Sequence, residues 1–189
     1  NVENFELIQN AIPSRVLDVE GRVITEFFSD EKRDLISLNI MPKHLIMALI
    51  TREDSSFLDH FGFAIFGTLR AVFMIVFRGD LQGASTLTQQ LAGNIYADRT
   101  DISITRKIKE LFWSFQLERR LTKREILEEY MNKMPFGHGN YGVEAASQFY
   151  WRKSASDLTL AESALLVIQL VLPGLYSPIK NPESAQRIQ

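Results

Sequence analysis

Apolar positions change their spacing along this chain, and the change predicts its elements. Between Ser14 and Phe28 they come at strand-like density. Val16-Leu17-Asp18-Val19 and Val23-Ile24-Thr25-Glu26-Phe27-Phe28 flank Glu20-Gly21, which predicts two short strands around a turn. From Pro42 the spacing becomes helical. Leu45, Ile46, Ala48, Leu49 and Ile50 make His44 to Arg52 a mostly buried helix that delivers Glu53 at its C-terminal end. After Gly83 the pattern is all-helical. One helix covers Thr86 to Asn94. A longer one covers Ile104 to Leu121, with Ile104, Ile108, Leu111, Phe112 and Phe115 three and four apart. Thr122-Lys123-Arg124-Glu125 is a capping box that opens a helix through Asn132. Thr159-Leu160-Ala161-Glu162 is a second, opening an apolar helix that stops before Pro173-Gly174. Gly137 to Gly142 holds three glycines and is expected as a loop.

One stretch fits none of these templates. Phe61 to Phe77 holds five of the 13 phenylalanines together with Ile65, Leu69, Val72, Met74, Ile75 and Val76. It is interrupted by Gly67 and carries Arg70, and at 17 residues it falls short of the roughly 20 apolar residues that span a bilayer. Two readings stay open: a core helix, or a surface that dips into lipid with Arg70 and Arg78 at the headgroups.

Composition narrows the classes without choosing one. With 189 residues, 46% of them hydrophobic and 23% charged, the chain is long enough for one domain with a real core, or one domain plus a short appendage, and its composition excludes general disorder. The net charge of −2 carries no polyanion-binding signature, so nucleic acid is not an expected partner. The absence of cysteine removes disulfides and thiolate zinc sites. No signal peptide is visible at the start, and the chain begins without Met and ends in mid-pattern, as expected of an excised or processed fragment.

Three clusters can carry chemistry. Glu53 and Asp54 follow an apolar helix and precede a polar turn; a carboxylate partly withdrawn from water there suits general acid or base work, although the pair also fits a helix cap. Gly83 to Gln90 gathers Ser85, Thr86, Thr88, Gln89 and Gln90 at a helix N-terminus, where backbone N–H groups favour an anion such as phosphate; a plain N-cap fits equally well. In Arg106-Lys107-Ile108-Lys109-Glu110, Arg106, Lys109 and Glu110 share a face, so that two cations beside a carboxylate could hold a diphosphate; a solvated Arg-Glu pair is the simpler alternative. Nine basic and six acidic residues between 99 and 133 give that part a local positive excess. His60 and His138 lack metal-ligand spacing and are expected as structural residues. Glu118, Glu128 and Glu129 are expected on helix surfaces, and Trp113 and Trp151 in the core or an interface.

Taken in order, these blocks resemble the glycosyltransferase domain of peptidoglycan synthases, found in class A penicillin-binding proteins and monofunctional transglycosylases. The motif E-D-x-x-F-x-x-H-x-G is matched by Glu53, Asp54, Phe57, His60 and Gly62. G-x-S-T-x-T-Q-Q-x-x-K-N is matched by Gly83, Ser85, Thr86, Thr88, Gln89, Gln90 and Asn94, and R-K-x-K-E by Arg106, Lys107, Lys109 and Glu110. K-x-x-I-L-E-x-Y-L-N is matched over Lys123 to Asn132 with Met131 at the Leu position. Gly137 to Ala146 and Asp157 to Pro182 also look like the family, so the similarity covers nearly the whole chain.

The resemblance implies a mainly α, lysozyme-like domain with a short N-terminal β-hairpin and a membrane-associated small lobe. Residues 1–41 would be an N-terminal segment with short strands, and residues 42–189 the glycosyltransferase domain, cut before its final motif. It implies polymerisation of lipid II into β-1,4-linked glycan with inversion and release of undecaprenyl diphosphate. Glu53 would be the general base, and Glu110 would help to organise the diphosphate or a divalent cation, Mg or Mn. Asp54, His60, Ser85, Thr86, Gln89, Gln90, Asn94, Arg106, Lys107 and Lys109 would bind substrate and diphosphate, and Phe63, Phe66, Phe73, Ile75 and Phe77 would touch the membrane. The implied partners are lipid II, the growing strand, the membrane surface, a transpeptidase domain in the same parent chain and cell-wall synthesis proteins. The implied place is the outer face of the cytoplasmic membrane. The family's Lys before the second-motif Asn is Gly93 here, with Lys107, Lys109 or Arg99 as candidates to replace its charge, and Tyr150-Trp151-Arg152-Lys153 departs from the usual Phe-Gly-Lys. The rival classes are a lysozyme-like murein hydrolase or lytic enzyme, which needs no basic third motif, and a non-catalytic lipid II-binding module, which Gly93 favours.

Overall fold

A computed structural model describes residues 14–17, 20, 23–27, 32–63, 85–96 and 104–171 of the chain. The architecture is mainly α. Strands β1 (Ser14–Leu17) and β2 (Val23–Phe27) pair antiparallel, as the alternation around Glu20-Gly21 predicted. After β3 (Lys32–Arg33) come α1 (Lys43–Glu53), α2 (Leu87–Tyr96), α3 (Ile104–Arg120) and α4 (Lys123–Lys133). Strand β4 (Asn140–Tyr141), α5 (Val143–Trp151), a 3-10 turn (Ala155–Asp157) and α6 (Leu160–Val171) complete the described order.

The core is shared among the helices. Leu45 and Leu49 of α1, Leu87 and Leu91 of α2, Leu117 of α3, Ile126 and Tyr130 of α4 and Leu166 of α6 are fully buried, together with Phe57 and Phe136 from the connections. Each such side chain stabilises the fold by about 1.5–3 kcal/mol relative to exposure. Helix α2 packs along α3 and also against α4, while α1 lies against α6. Both capping boxes form. Thr122 and Glu125 bond reciprocally at the start of α4, and Thr159 and Glu162 at the start of α6.

Residues ahead of α1 are tied into the helical body. β3 runs parallel to β4, an arrangement absent from the local sequence pattern. The Asn132 amide both donates to and accepts from the Ile36 backbone at 3.0 Å, and Glu128 accepts from the Leu38 N–H at 2.8 Å. Ile36, Leu38 and Met41 thereby enter the core.

One surface expectation is corrected. Glu118 is not on the surface: its carboxylate, 3% exposed, accepts from Thr88 Oγ1 at 2.6 Å and Lys123 Nζ at 2.7 Å, joining α2, α3 and α4. The apolar stripe of α3, whose direction its spacing did not state, faces outward. Ile108 is 63% exposed, and Leu111, Phe112 and Phe115 are also exposed, whereas Glu110, Ser114 and Leu117 face inward. The buried polar side chains of α3 are satisfied, Glu110 by Arg106 and Lys107 and the Ser114 hydroxyl by the Leu111 carbonyl, which removes the usual cost of burying them. Helix α5 was not anticipated as a separate element; it starts at Gly142, whose φ of 85° and close approach to the Asn132 carbonyl admit only glycine.

Candidate active site

Glu53 is the last residue of α1, and the chain leaves the helix at Asp54 with the Asp54 N–H on the Ile50 carbonyl. Glu53 is half-buried and Asp54 buried. The Asp54 carboxylate meets His60 Nε2 at 2.9 Å and accepts from the Leu87 N–H at 3.1 Å, so it sits at the positive N-terminus of α2. Thr86 and Gln89 form a further capping box: Thr86 Oγ1 accepts from the Gln89 N–H at 3.2 Å, and Gln89 Oε1 accepts from the Thr86 N–H at 3.3 Å. The same Thr86 hydroxyl donates to the Gly62 carbonyl at 2.7 Å. Gly62 has φ +77°, and a Cβ there would press on the Ser114 carbonyl and on Glu118. Asp54, His60, Gly62, Thr86 and Gln89 thus build the joint that fixes the end of α1 against α2 and α3.

Beside this joint is a cavity of about 340 Å³, lined by Ser85, Gln90, Gly93 and Asn94 on one wall, Arg106, Lys107 and Glu110 on the other, and Met134 and Pro135 at its end. Glu110 is 5% exposed and held between two cations: Arg106 Nη1 at 2.8 Å and Lys107 Nζ at 2.7 Å. Lys107 also donates to Ser85 Oγ at 3.2 Å, spanning the cavity. Gly93 makes this packing possible. A Cβ there would lie 3.0 Å from Glu110 Oε1 and 3.2 Å from Cδ and Cγ, so the absence of a side chain on α2 is filled by the Glu110 carboxylate. The α3 wall carries two positive charges and one negative, a field that suits an anionic group.

The catalytic candidate joins this cavity through one side chain. Gln90 Nε2 donates to Glu53 Oε2 at 3.1 Å, and Gln90 Oε1 accepts from the Tyr130 hydroxyl at 2.7 Å. Asn94 donates to the Lys133 carbonyl at 3.1 Å, closing the end of α4. Lys109 points elsewhere: it is exposed and makes no ion pair among the described residues, so the second cation on Glu110 is Lys107, three residues back. Phe63 is half-buried, whereas Phe66, Phe73, Ile75, Phe77 and Arg99 lie outside the described residues. Tyr130 was missed from the sequence. The sequence marked it only as a motif position within Lys123 to Asn132 and gave no sign of what its hydroxyl would meet.

A family model described as Transglycosylase matches residues 20–189. The chain belongs to the transglycosylase family. This transglycosylase domain is 41% identical over 186 residues to penicillin-binding protein 1A of Vibrio cholerae, covering 98% of the domain and 22% of that protein. It is 39% identical over 183 residues to penicillin-binding protein 4 of Bacillus subtilis, covering 96% of the domain and 29% of that protein. The chain therefore spans less than a third of the length of these curated relatives. Among solved structures, penicillin-binding protein 1A from Haemophilus influenzae is similar at 21% identity with a TM-score of 0.48, covering 95% of the domain and 17% of that chain.

The divalent cation implied by the family resemblance does not fit the donors present in the transglycosylase domain. Among the described residues, Glu110 is the only carboxylate lining the cavity, both its oxygens are engaged by cations, and no group of three His, Cys, Asp or Glu suited to a metal exists. A doubly paired carboxylate is a poor ligand for a hard cation, which seeks several free oxygens. No helix among the described residues is long and apolar enough to cross a membrane.

Proposed function

We propose that this domain is a peptidoglycan glycosyltransferase that polymerises lipid II at a membrane surface. The observation that carries the reading is the pairing of a half-buried Glu53 with a cation-walled cavity through the single Gln90 bridge. A sugar hydroxyl is a poor nucleophile without a base, and a departing diphosphate needs positive charge. Glu53 takes the proton from the 4-hydroxyl of the acceptor GlcNAc. That oxygen attacks the anomeric carbon of the donor MurNAc as the bond to the diphosphate breaks, and the electron pair leaves with undecaprenyl diphosphate. Configuration inverts to give a β-1,4 bond. Arg106 and Lys107 meet the leaving diphosphate, with Glu110 holding both in place and Ser85 adding a hydroxyl.

Placement at a membrane is supported by Phe61, 73% exposed, and by the outward stripe of Ile108, Leu111, Phe112 and Phe115. Apolar groups in such a run are favourable against acyl chains and unfavourable against water. A transpeptidase domain in the same parent chain belongs to the same proposal.

The test is lipid II polymerisation by the intact protein. Wild type is expected to release undecaprenyl diphosphate and lengthen glycan strands, while Glu53→Gln, isosteric but not basic, lowers the rate by about a hundredfold or more. Retention of full activity in Glu53→Gln, or release of soluble muropeptides from sacculi in place of polymerisation, would overturn the reading.

A further inference from the structure

Glu53 is held by a relay that begins in the core. Tyr130 is fully buried on α4, whose start is locked by the Thr122–Glu125 capping box. Its hydroxyl donates to Gln90 Oε1 at 2.7 Å, and the other end of the same amide donates to Glu53 Oε2 at 3.1 Å. The direction of the relay follows from the chemistry of its ends. An ionised carboxylate only accepts, so the Gln90 NH2 must face Glu53 and its oxygen must face Tyr130. Oxygen Oε1 then needs a donor, which the phenol supplies. Burial, assisted by the nearby Glu53 charge, pushes the Tyr130 phenol far above its ordinary value, so it stays protonated and remains that donor. Glu53 Oε1 has no hydrogen bond among the described residues. One carboxylate oxygen is thus anchored and the other left open.

We propose that Tyr130 is a positioning residue for the base: through the Gln90 amide it anchors Glu53 Oε2 and leaves Oε1 to take the acceptor proton. The inference rests on the glycosyltransferase reading for its consequence, but its geometry can be measured without turnover. A reversed Gln90 would set two oxygens face to face, repelling the carboxylate from its working position, and misplaced reacting groups are costly to rate.

Two variants of the intact protein test this, Tyr130→Phe and Gln90→Leu, each keeping the volume of the side chain. Loss of one hydrogen bond in the relay is expected to lower kcat about tenfold in either variant. Tyr130 does not line the cavity, so in Tyr130→Phe the KM for lipid II should change less than about twofold. Because Tyr130 acts through Gln90, the double variant is expected to be no slower than Gln90→Leu alone. Multiplying losses, or a change confined to KM, would overturn the proposal by assigning Tyr130 a packing role only. The second readout is the Gln90 side-chain amide by 15N NMR. Wild type should show two well-separated, slowly exchanging amide protons that broaden or exchange faster in Tyr130→Phe. If they do not change, the relay does not exist. Since this signal needs no substrate turnover, it tests the relay even if lipid II is not the substrate.

Discussion

Substituting Gly93 by Ala should separate stability from activity, and the structure sets the size of each effect. Gly93 is buried within α2, where alanine gains about 1 kcal/mol over glycine from its reduced unfolded-state freedom. Against that gain, the new Cβ lies 3.0 Å from Glu110 Oε1 and 3.2 Å from Cδ and Cγ. All three nearest atoms belong to one side chain and none to backbone, so the fold can yield by moving the carboxylate a few tenths of an ångström. That movement strains the contacts at 2.8 Å with Arg106 and 2.7 Å with Lys107, whose loosening costs about what alanine gains. The melting temperature should therefore move by no more than about 4 °C. Activity should not be spared. A displacement of about 1 Å at a reacting centre costs about a hundredfold, so a few tenths should cost about three- to tenfold. Differential scanning calorimetry and a lipid II polymerisation assay on the intact protein read the two effects. In a Glu110→Ala background the clash is absent, and Gly93→Ala should then raise the melting temperature. Full activity together with a raised melting temperature in the single variant would refute the reasoning, because it would mean that the position of Glu110 is not exacting.

Two further outcomes follow from residues away from the cavity. Glu118→Ala should destabilise the protein by about 3 kcal/mol, read by chemical denaturation, because it leaves buried Thr88 Oγ1 and the Lys123 ammonium without their acceptor. For Glu162, burial alone would raise the carboxyl, but bonds from Lys153 and from the Thr159 backbone and hydroxyl overcome it and hold the group below its ordinary value. A lowered folded value means stability that is present above the ordinary Glu value of 4.5 and is lost as pH falls through the folded one. Glu162→Gln should accordingly be less stable at neutral pH and lose less on acidification, as followed by circular dichroism.

Much of the local structure was legible because its causes are local. The strand pair around Glu20-Gly21, the helix ending at Glu53 and both capping boxes depend on residues only a few positions apart. The same holds for the motif clusters, since Glu53, Gly83 to Gln90 and Arg106 to Glu110 name their chemistry by residue type. Periodicity on α3 left one question open for a physical reason. A stripe of Ile108, Leu111, Phe112 and Phe115 states that one face is apolar but not which solvent it meets, and here it faces outward.

What the sequence determined by itself was most of the helices, roughly where they begin, and which side chains are available for acid–base and anion chemistry; α5 was legible only in the fold. Which partner each of those side chains takes was decided only by tertiary structure. Glu110 pairs with Lys107 instead of Lys109 because Gly93 opens a space for its carboxylate between α2 and α3. Glu118 is buried because Thr88 and Lys123 arrive from two other helices to satisfy it. Tyr130 reaches Gln90 across 40 residues of chain, and through it Glu53. Such pairings depend on how helices approach one another, which is set by the shape of the whole core, and no local window of sequence contains that information.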